Sequence, residues 1–283
     1  MTLLVVGNAA VDRFYRLATL PAPGETVLAS VSHAEPGGKG LNQAVMAARA
    51  GADVRFASTV GDDAAGRDLR AHIAAEGLAG DLVRTVPCAT DESLVFVDRD
   101  GGNVIFSTAD AMHAFPEALV DAAIDALPAD GRVLIQGNLR DAITERLVHR
   151  ARGRNLWIAF NPSPVALCHA TLLPLVDLVV VNEVEAALLD LRAVSMCVTS
   201  LGAAGAKLSF RGEDVHVPAG KVAVMDTTGA GDVLCGVLVA RLAQGDAAPL
   251  ALDLAVRAAS LKCTRAGTAG AFPTAAELRA LRP

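Results

Sequence analysis

Short runs of Val, Leu and Ile recur along the chain, separated by Ala- and Leu-rich stretches whose apolar residues return every three or four positions. LLVVG (3–7), DVRFAST (53–59), RVLIQ (132–136), LWIAF (156–160), LVVV (178–181) and MCVTS (196–200) read as strands, mostly buried on both faces. Residues 40–50, 64–76, 116–126, 141–152 and 183–190 carry helical spacing; in 141–152, Ile143, Leu147 and Ala151 share a face. Strand–helix alternation of this kind predicts an α/β fold, a mostly parallel sheet covered by helices on both sides.

Two segments break the rhythm. Residues 11–36 hold Pro-Ala-Pro-Gly-Glu followed by the period-2 stretch TVLASVSH. Residues 93–107, SLVFVDRDGGNVIFS, are two alternating runs joined at Arg99-Asp100-Gly101-Gly102, a hairpin signal. Both are expected on a small separate β-sheet above the strand ends, a lid drawn from about 11–36 and 91–108 and inserted into one domain spanning 1–283.

Composition narrows the class. Just over half of the 283 residues are hydrophobic, enough for a large core, and the net charge of −6 with no basic run argues against a nucleic-acid partner. The opening LLVVG is too short for a leader, and no window approaches the ~18 uninterrupted apolar residues of a membrane span. The five cysteines are scattered with no C-x-x-C pair, so neither a disulfide framework nor a zinc site is expected, and a reducing cytosol fits best.

Two glycine stretches carry the candidate chemistry. In Glu35-Pro36-Gly37-Gly38-Lys39-Gly40-Leu41-Asn42-Gln43, glycines bring backbone N–H groups close to a ligand, and Asn42 and Gln43 can bond a polar ligand such as a sugar hydroxyl. A tight loop capped by Asn is the alternative. In Asp226-Thr227-Thr228-Gly229-Ala230-Gly231-Asp232, three small residues open a helix over 230–244 and clear a row of N–H donors, an anion hole. Asp232 sits in its first turn. An acid there stabilises a helix by ~0.3–1 kcal/mol, which explains Asp232 but not the small residues before it. A carboxylate beside an anion hole suits a general base that takes a hydroxyl proton during phosphoryl transfer. The chain has no G-x-x-x-x-G-K-[S/T], G-x-G-x-x-G, H-E-x-x-H or G-x-S-x-G, which moves Walker ATPases, Rossmann dehydrogenases, and metal and serine hydrolases down.

At these residues the chain resembles the ribokinase-like (pfkB) carbohydrate kinases. The resemblance covers essentially the whole chain: GN-x-x-x-D at 7–12, P-x-PGET at 21–26, PGGKGLNQAVMAARAGADV at 36–54, VGDDAAGRDL at 60–69, NPSP at 161–164, NEVEA at 182–186, SLGAAG at 200–205 and DTTGAGD at 226–232. The PGGKG-x-NQA wording is closer to ribokinases than to fructokinases. It implies a ribokinase-like fold and ATP-dependent phosphorylation of a primary hydroxyl of a sugar, with Mg²⁺. Asp232 matches the catalytic base, and Gly229, Ala230 and Gly231 the anion hole. Asp12, Gly38, Lys39 and Asn42 match sugar-contacting positions, although Lys39 also reads as an exposed loop lysine. Asn182 and Glu185 match a pair that helps hold Mg²⁺ and its waters; the same two residues could simply cap a helix. Ser200, Gly202, Gly205 and Thr227 match the nucleotide-phosphate side. Asp226 and Thr228 match part of a monovalent-cation (K⁺) site, with carbonyls near Gly267 as the remainder. The family's lids clasp into homodimers, so a homodimer through the lid is expected.

Three positions depart from the pattern. Ala10 stands where ribokinases usually have Asn, Gln136-Gly137-Asn138 where they commonly place an acid, and Val256 where a polar residue often lies by the adenine. The first two face the sugar in the family, so Asn138 becomes a substrate-contact candidate and ribose itself is open. A nucleoside kinase on the same scaffold is one alternative; a non-catalytic sugar-binding or regulatory homologue is another.

Overall fold

The computed structural model describes residues 1–99 and 103–282. In chain order the elements are β1 (Thr2–Val6), β2 (Ala10–Arg16), β3 (Ser30–Gly37), α1 (Lys39–Arg49), β4 (Asp53–Gly61), α2 (Ala64–Ala75), β5 (Val83–Val86), β6 (Glu92–Val97), β7 (Asn103–Ser107), α3 (Asp110–His113) and α4 (Glu117–Asp125). They continue with β8 (Arg132–Gln136), α5 (Asp141–Gly153), β9 (Trp157–Asn161), α6 (His169–Leu172), β10 (Leu178–Asn182), α7 (Glu183–Ala186), β11 (Met196–Ser200), β12 (Ala206–Phe210), β13 (Glu213–Val217), α8 (Ala230–Ala243), α9 (Ala248–Lys262) and α10 (Ala275–Ala280).

Nine strands form the main sheet in the order β13-β12-β11-β10-β9-β8-β1-β4-β5. From β11 to β5 every pairing is parallel; β12 and β13 add antiparallel strands at one edge. This is the mixed α/β sandwich that the apolar runs predict, because a strand covered on both faces needs no polar alternation. One core lies under α1, α8 and α9, and a second, on the opposite face, under α4 and α5. The chain leaves β1 in one direction for β4 and returns on its other side at β8, which makes the gap between β1 and β8 the place where strand order reverses. Open α/β sheets bind ligands at such a point, beyond the C-terminal strand ends.

The second sheet has four strands in the order β3-β2-β6-β7, with β2 parallel to β6 and the other pairs antiparallel. It is drawn from the two segments that broke the helix–strand rhythm. The turn residues Asp100, Gly101 and Gly102, expected to join the hairpin, lie outside the described residues. The strand within TVLASVSH starts only at Ser30; Val27 and Leu28 precede it and are 39% and 94% exposed, with no neighbour strand to bury them.

Helix 183–190 is corrected by the structure. Only Glu183–Ala186 is helical, and no residue of that turn is buried. Val184 and Leu188 point outward at 73% and 67% exposure, so their apolar spacing has no core to face, and Asp190 starts a separate 3₁₀ turn by accepting from the Arg192 N–H. Among the described residues no helix is long and apolar enough to cross a membrane.

Candidate active site

The C-terminal ends of β1, β8 and β9 lead into a cleft of about 660 Å³ roofed by the small sheet. Close helix approach shapes its floor. A Cβ on Gly40 would lie 2.5 Å from the Gly7 carbonyl carbon, so α1 can begin directly over the end of β1. A Cβ on Gly236 would lie 2.6 Å from the Gln43 carbonyl oxygen; its absence lets α8 press against α1.

That contact places the first turns of the two helices side by side, and Asp232 meets α1 there. Asp232 is 7% exposed, and both of its carboxylate oxygens are held: Asn42 Nδ2 donates to Oδ2 and Gln43 Nε2 donates to Oδ1, each at 3.0 Å. Gln43 Nε2 also donates to Asn161 Oδ1 (2.9 Å), Gln43 Oε1 accepts from Gln136 Nε2 (2.8 Å), and Asn161 Nδ2 donates to the Val180 carbonyl (2.8 Å). Gln43 and Gln136 have no exposed surface. A carboxylate can only accept from Gln43, so its charge fixes which way each amide faces. The Gln136 Oε1 at the far end is left without a hydrogen-bond partner.

The backbone before Asp232 has the form the small residues suggest. Gly229, the residue before α8, has φ 77°, a left-handed conformation that L side chains avoid. Gly231 lies in the first helical turn, and a Cβ there would meet nothing within 4 Å. Glycine costs ~1 kcal/mol against alanine in a helix, and protein packing gives no reason for it at 231; room for a ligand does. The Ala230 N–H donates to the Thr227 carbonyl at 3.1 Å, so of the three small residues Gly229 and Gly231 are left to offer donors.

Asp12, Gly38, Lys39, Asn42 and Asn138 all line the cleft, together with Thr227, Thr228, Gly229 and Asp232. Gly38 has φ 94° at the start of α1. Lys39 is half-buried in the first turn of α1, where the helix field disfavours a cation, so its position is better explained by an anion in the cleft than by capping. Asn138 Oδ1 is buried with no hydrogen-bond partner, an acceptor ready for a ligand hydroxyl. Burial, with the nearby Asp232 and Glu35 charges, pushes Asp12 up to about 7, while hydrogen bonds from Ser93 and Thr268 hold it down.

The remaining candidates lie outside the cleft lining, farther along the same edge of the sheet. Asn182 and Glu185 end β10 and begin α7, and they form a capping box: Asn182 Oδ1 accepts from the Glu185 N–H (2.8 Å) and Glu185 Oε2 from the Asn182 N–H (2.9 Å). Ser200 ends β11, and Gly202 and Gly205 turn the chain into β12 with φ 55° and 97°. Asp226 accepts from the N–H groups of Thr228 (2.8 Å) and Gly267 (2.9 Å). Those bonds, with the nearby Lys262 charge, outweigh burial and lower its pKa.

Several residues of the site have little sequence signature. Gln43, expected with Asn42 to bond a ligand hydroxyl, is instead fully buried and spends its amide on Asp232, Asn161 and Gln136; Asn161 ends a strand, and Lys262 reads as an ordinary lysine at the end of α9. Glu35 also belongs here: it accepts from the Thr268 (2.7 Å) and Gly270 (3.0 Å) N–H groups and ties β3 to the loop after α9.

A family model described as pfkB family carbohydrate kinase matches residues 1–275. The chain is 30% identical over 295 residues to a ribokinase of Bacillus subtilis, covering 99% of this chain and 98% of the relative. Among solved structures, ribokinase from Thermotoga maritima matches with a TM-score of 0.88 at 26% identity over 99% of both chains. A ribokinase from Arabidopsis thaliana, solved with ribose and ATP, matches with a TM-score of 0.84 at 26% identity over 99% of this chain and 97% of that one. The glycine motifs, the two-sheet architecture and these matches agree, and the chain belongs to the pfkB family of carbohydrate kinases.

Proposed function

We propose that this protein is an ATP-dependent kinase that phosphorylates a primary hydroxyl of a sugar, with Asp232 as the general base. The observation that carries the reading is the buried Asp232 carboxylate, gripped on both oxygens by amide donors and open to a cleft beside the left-handed Gly229. In the reaction Asp232 takes the hydroxyl proton, the sugar oxygen bonds to the terminal phosphorus of ATP, and the bond from that phosphorus to the ADP oxygen breaks. A positioned base contributes ~10²–10⁴-fold. The Gly229 and Gly231 N–H groups, with the α8 dipole, stabilise the charge on the transferring group.

Asp12, Asn42 and Asn138 bind sugar hydroxyls, and Gly38 and Lys39 close the wall beside them. Thr227, Ser200, Gly202 and Gly205 border the nucleotide phosphates, as suits a relative solved with ribose and ATP. Among the described residues no group of three or more His, Cys, Asp or Glu forms a metal cage. Mg²⁺ bound chiefly by phosphates and water needs none, so the residues present fit it, and Glu185 with Asn182 would help to hold it. Bound there, the ion would neutralise phosphate charge.

The small sheet acts as a lid that excludes water from the cleft, within a single kinase domain. Its outer face carries a row of three aromatic rings, Tyr15 stacked on Phe96 and Phe106 edge-on to Phe96, and Phe106 and Val31 are 60% and 70% exposed. A second copy clasping this face would cover it, giving a homodimer; Phe106→Glu would then shift the mass in solution from dimer to monomer. The assignment to a cytoplasmic enzyme rests on the scattered thiols.

ATP-to-ADP turnover with Mg²⁺ across pentoses, hexoses, deoxy sugars, sugar acids and nucleosides tests the proposal. Stimulation by a sugar supports it. A response confined to nucleosides would make this a nucleoside kinase, and ATP binding without turnover would point to a non-catalytic homologue.

A further inference from the structure

Lys262, the last residue of α9, has no exposed side-chain surface, and among the described residues no other lysine or arginine is as deeply buried. A lysine at a helix C-terminus normally reaches water while favouring the dipole. Here the side chain turns inward, and Nζ donates to the Asp226 carbonyl at 3.0 Å and lies 3.8 Å from Asp226 Oδ2. Burial lowers its pKa, against the opposing pull of Asp226, Cys263 and Glu35. The Cys263 carbonyl accepts from the N–H groups of Met225 (2.8 Å) and Asp226 (3.2 Å), locking the same two segments together.

The resemblance places a monovalent cation among Asp226, Thr228 and carbonyls near Gly267. That location already holds a fixed positive charge. The Asp226 carboxylate is bonded by Thr228 N–H and Gly267 N–H and faces the ammonium, so a diffusible ion would compete for the same oxygens. Two like charges held within a few ångströms of one carboxylate repel each other strongly in so dry a site. Conversely, an ammonium without surface exposure persists only with the carboxylate and carbonyl that surround it. The residues present therefore do not fit a free K⁺ ion.

We propose that the Lys262 ammonium stands permanently in place of a dissociable monovalent cation, so that the protein works without K⁺. It acts as a positioning residue: it pins Asp226 at the base of the segment that leads through Thr228 to Gly229, and so fixes the anion hole without touching the transferring group. This rests on the kinase reading for its effect on turnover, but the ion preference can be read without it.

The test uses the full chain, with Tm and turnover measured at constant ionic strength in choline, sodium, potassium and caesium chlorides. Wild type is expected to show the same Tm and rate in all four. Lys262→Met keeps the apolar stem and removes the charge; its Tm and turnover are expected to be low in choline and to rise selectively in KCl, by about tenfold or more in rate if the coupling is of ordinary size. Lys262→Arg is expected to remain indifferent to K⁺. A merely structural lysine would lose stability on substitution without ion-selective rescue, which would overturn the proposal, as would K⁺-specific activation or stabilisation of wild type. If Lys262→Met does not fold in any salt, the wild-type and Lys262→Arg arms still decide. Absence of turnover in every sample would count against the kinase reading alone, because the Tm arms would still report the cation.

Discussion

Gln43→Glu changes one atom type in the network that holds Asp232, and its consequence can be worked out bond by bond. Gln43 Nε2 has two hydrogens and uses both, on Asp232 Oδ1 and Asn161 Oδ1, while its Oε1 accepts from Gln136. A glutamate there has no hydrogen when ionised and would put two carboxylates about 3 Å apart, one without exposed surface and Asp232 only 7% exposed. Such a pair retains a shared proton and titrates at a raised pKa. With that one proton only one former acceptor can be satisfied, so the variant loses a hydrogen bond to a buried charged or polar group, roughly 1.5–3 kcal/mol. Thermal and urea unfolding at pH 7 should show that loss. The pH profile of kcat/KM should show its acid limb moved upward by a unit or more, because the base now competes for a proton it did not share. Gln43→Leu separates the effects: it removes the bonds without adding a carboxylate, so it should lower stability and kcat while moving the acid limb less than Gln43→Glu does. A Gln43→Glu protein with unchanged stability and an unchanged profile would refute the claim that this amide positions the base.

Asp12 gives a second pH signature. Its folded pKa of about 7 lies above its ordinary value, so between about pH 4 and 7 the folded chain keeps a proton that the unfolded chain has released. Its contribution therefore destabilises the unliganded protein progressively as pH rises through that window; unfolding titrations should show the decline in wild type and lose this component in Asp12→Asn. Gly236→Ala would set a Cβ 2.6 Å from the Gln43 carbonyl oxygen, and separating α1 from α8 should cost ~1–3 kcal/mol and lower kcat more than it raises KM for sugar. Unfolding and steady-state kinetics check both effects, and a wild-type kcat in that variant would mean that the helix contact does not set the base.

How far the sequence carried follows from the range of the interactions involved. Six of the seven parallel strands, all but the four-residue β5, and the helices at α1, α2, α4, α5 and α8 are legible in local sequence pattern. The hairpin β12–β13, outside the elements that the apolar runs predict, is equally local: Arg211 and Gly212, both with positive φ, join two alternating runs in register. Helix 183–190 shows the opposite failure, where spacing suggested a face that tertiary structure left in solvent. In the site, the small residues around Asp232 signalled an anion hole because they lie together in sequence. The grip of Gln43 on Asp232 spans 189 positions, and the reach of Lys262 back to Asp226 spans 36. Neither leaves a local pattern, since what matters is the close approach of helices that glycines elsewhere permit.

The central claim is that Asp232 removes the proton from the accepting hydroxyl, and Asp232→Asn tests it most directly. The new amide can accept from only one of Asn42 and Gln43 where the carboxylate accepted from both, so a loss of ~1–3 kcal/mol of stability is expected and the fold must be checked by Tm. ATP affinity and sugar-stimulated ADP formation would then be measured on the folded variant. Nucleotide binding near that of wild type with kcat reduced by ~10²-fold or more is the expected result. Sugar-stimulated turnover at the wild-type rate would contradict it.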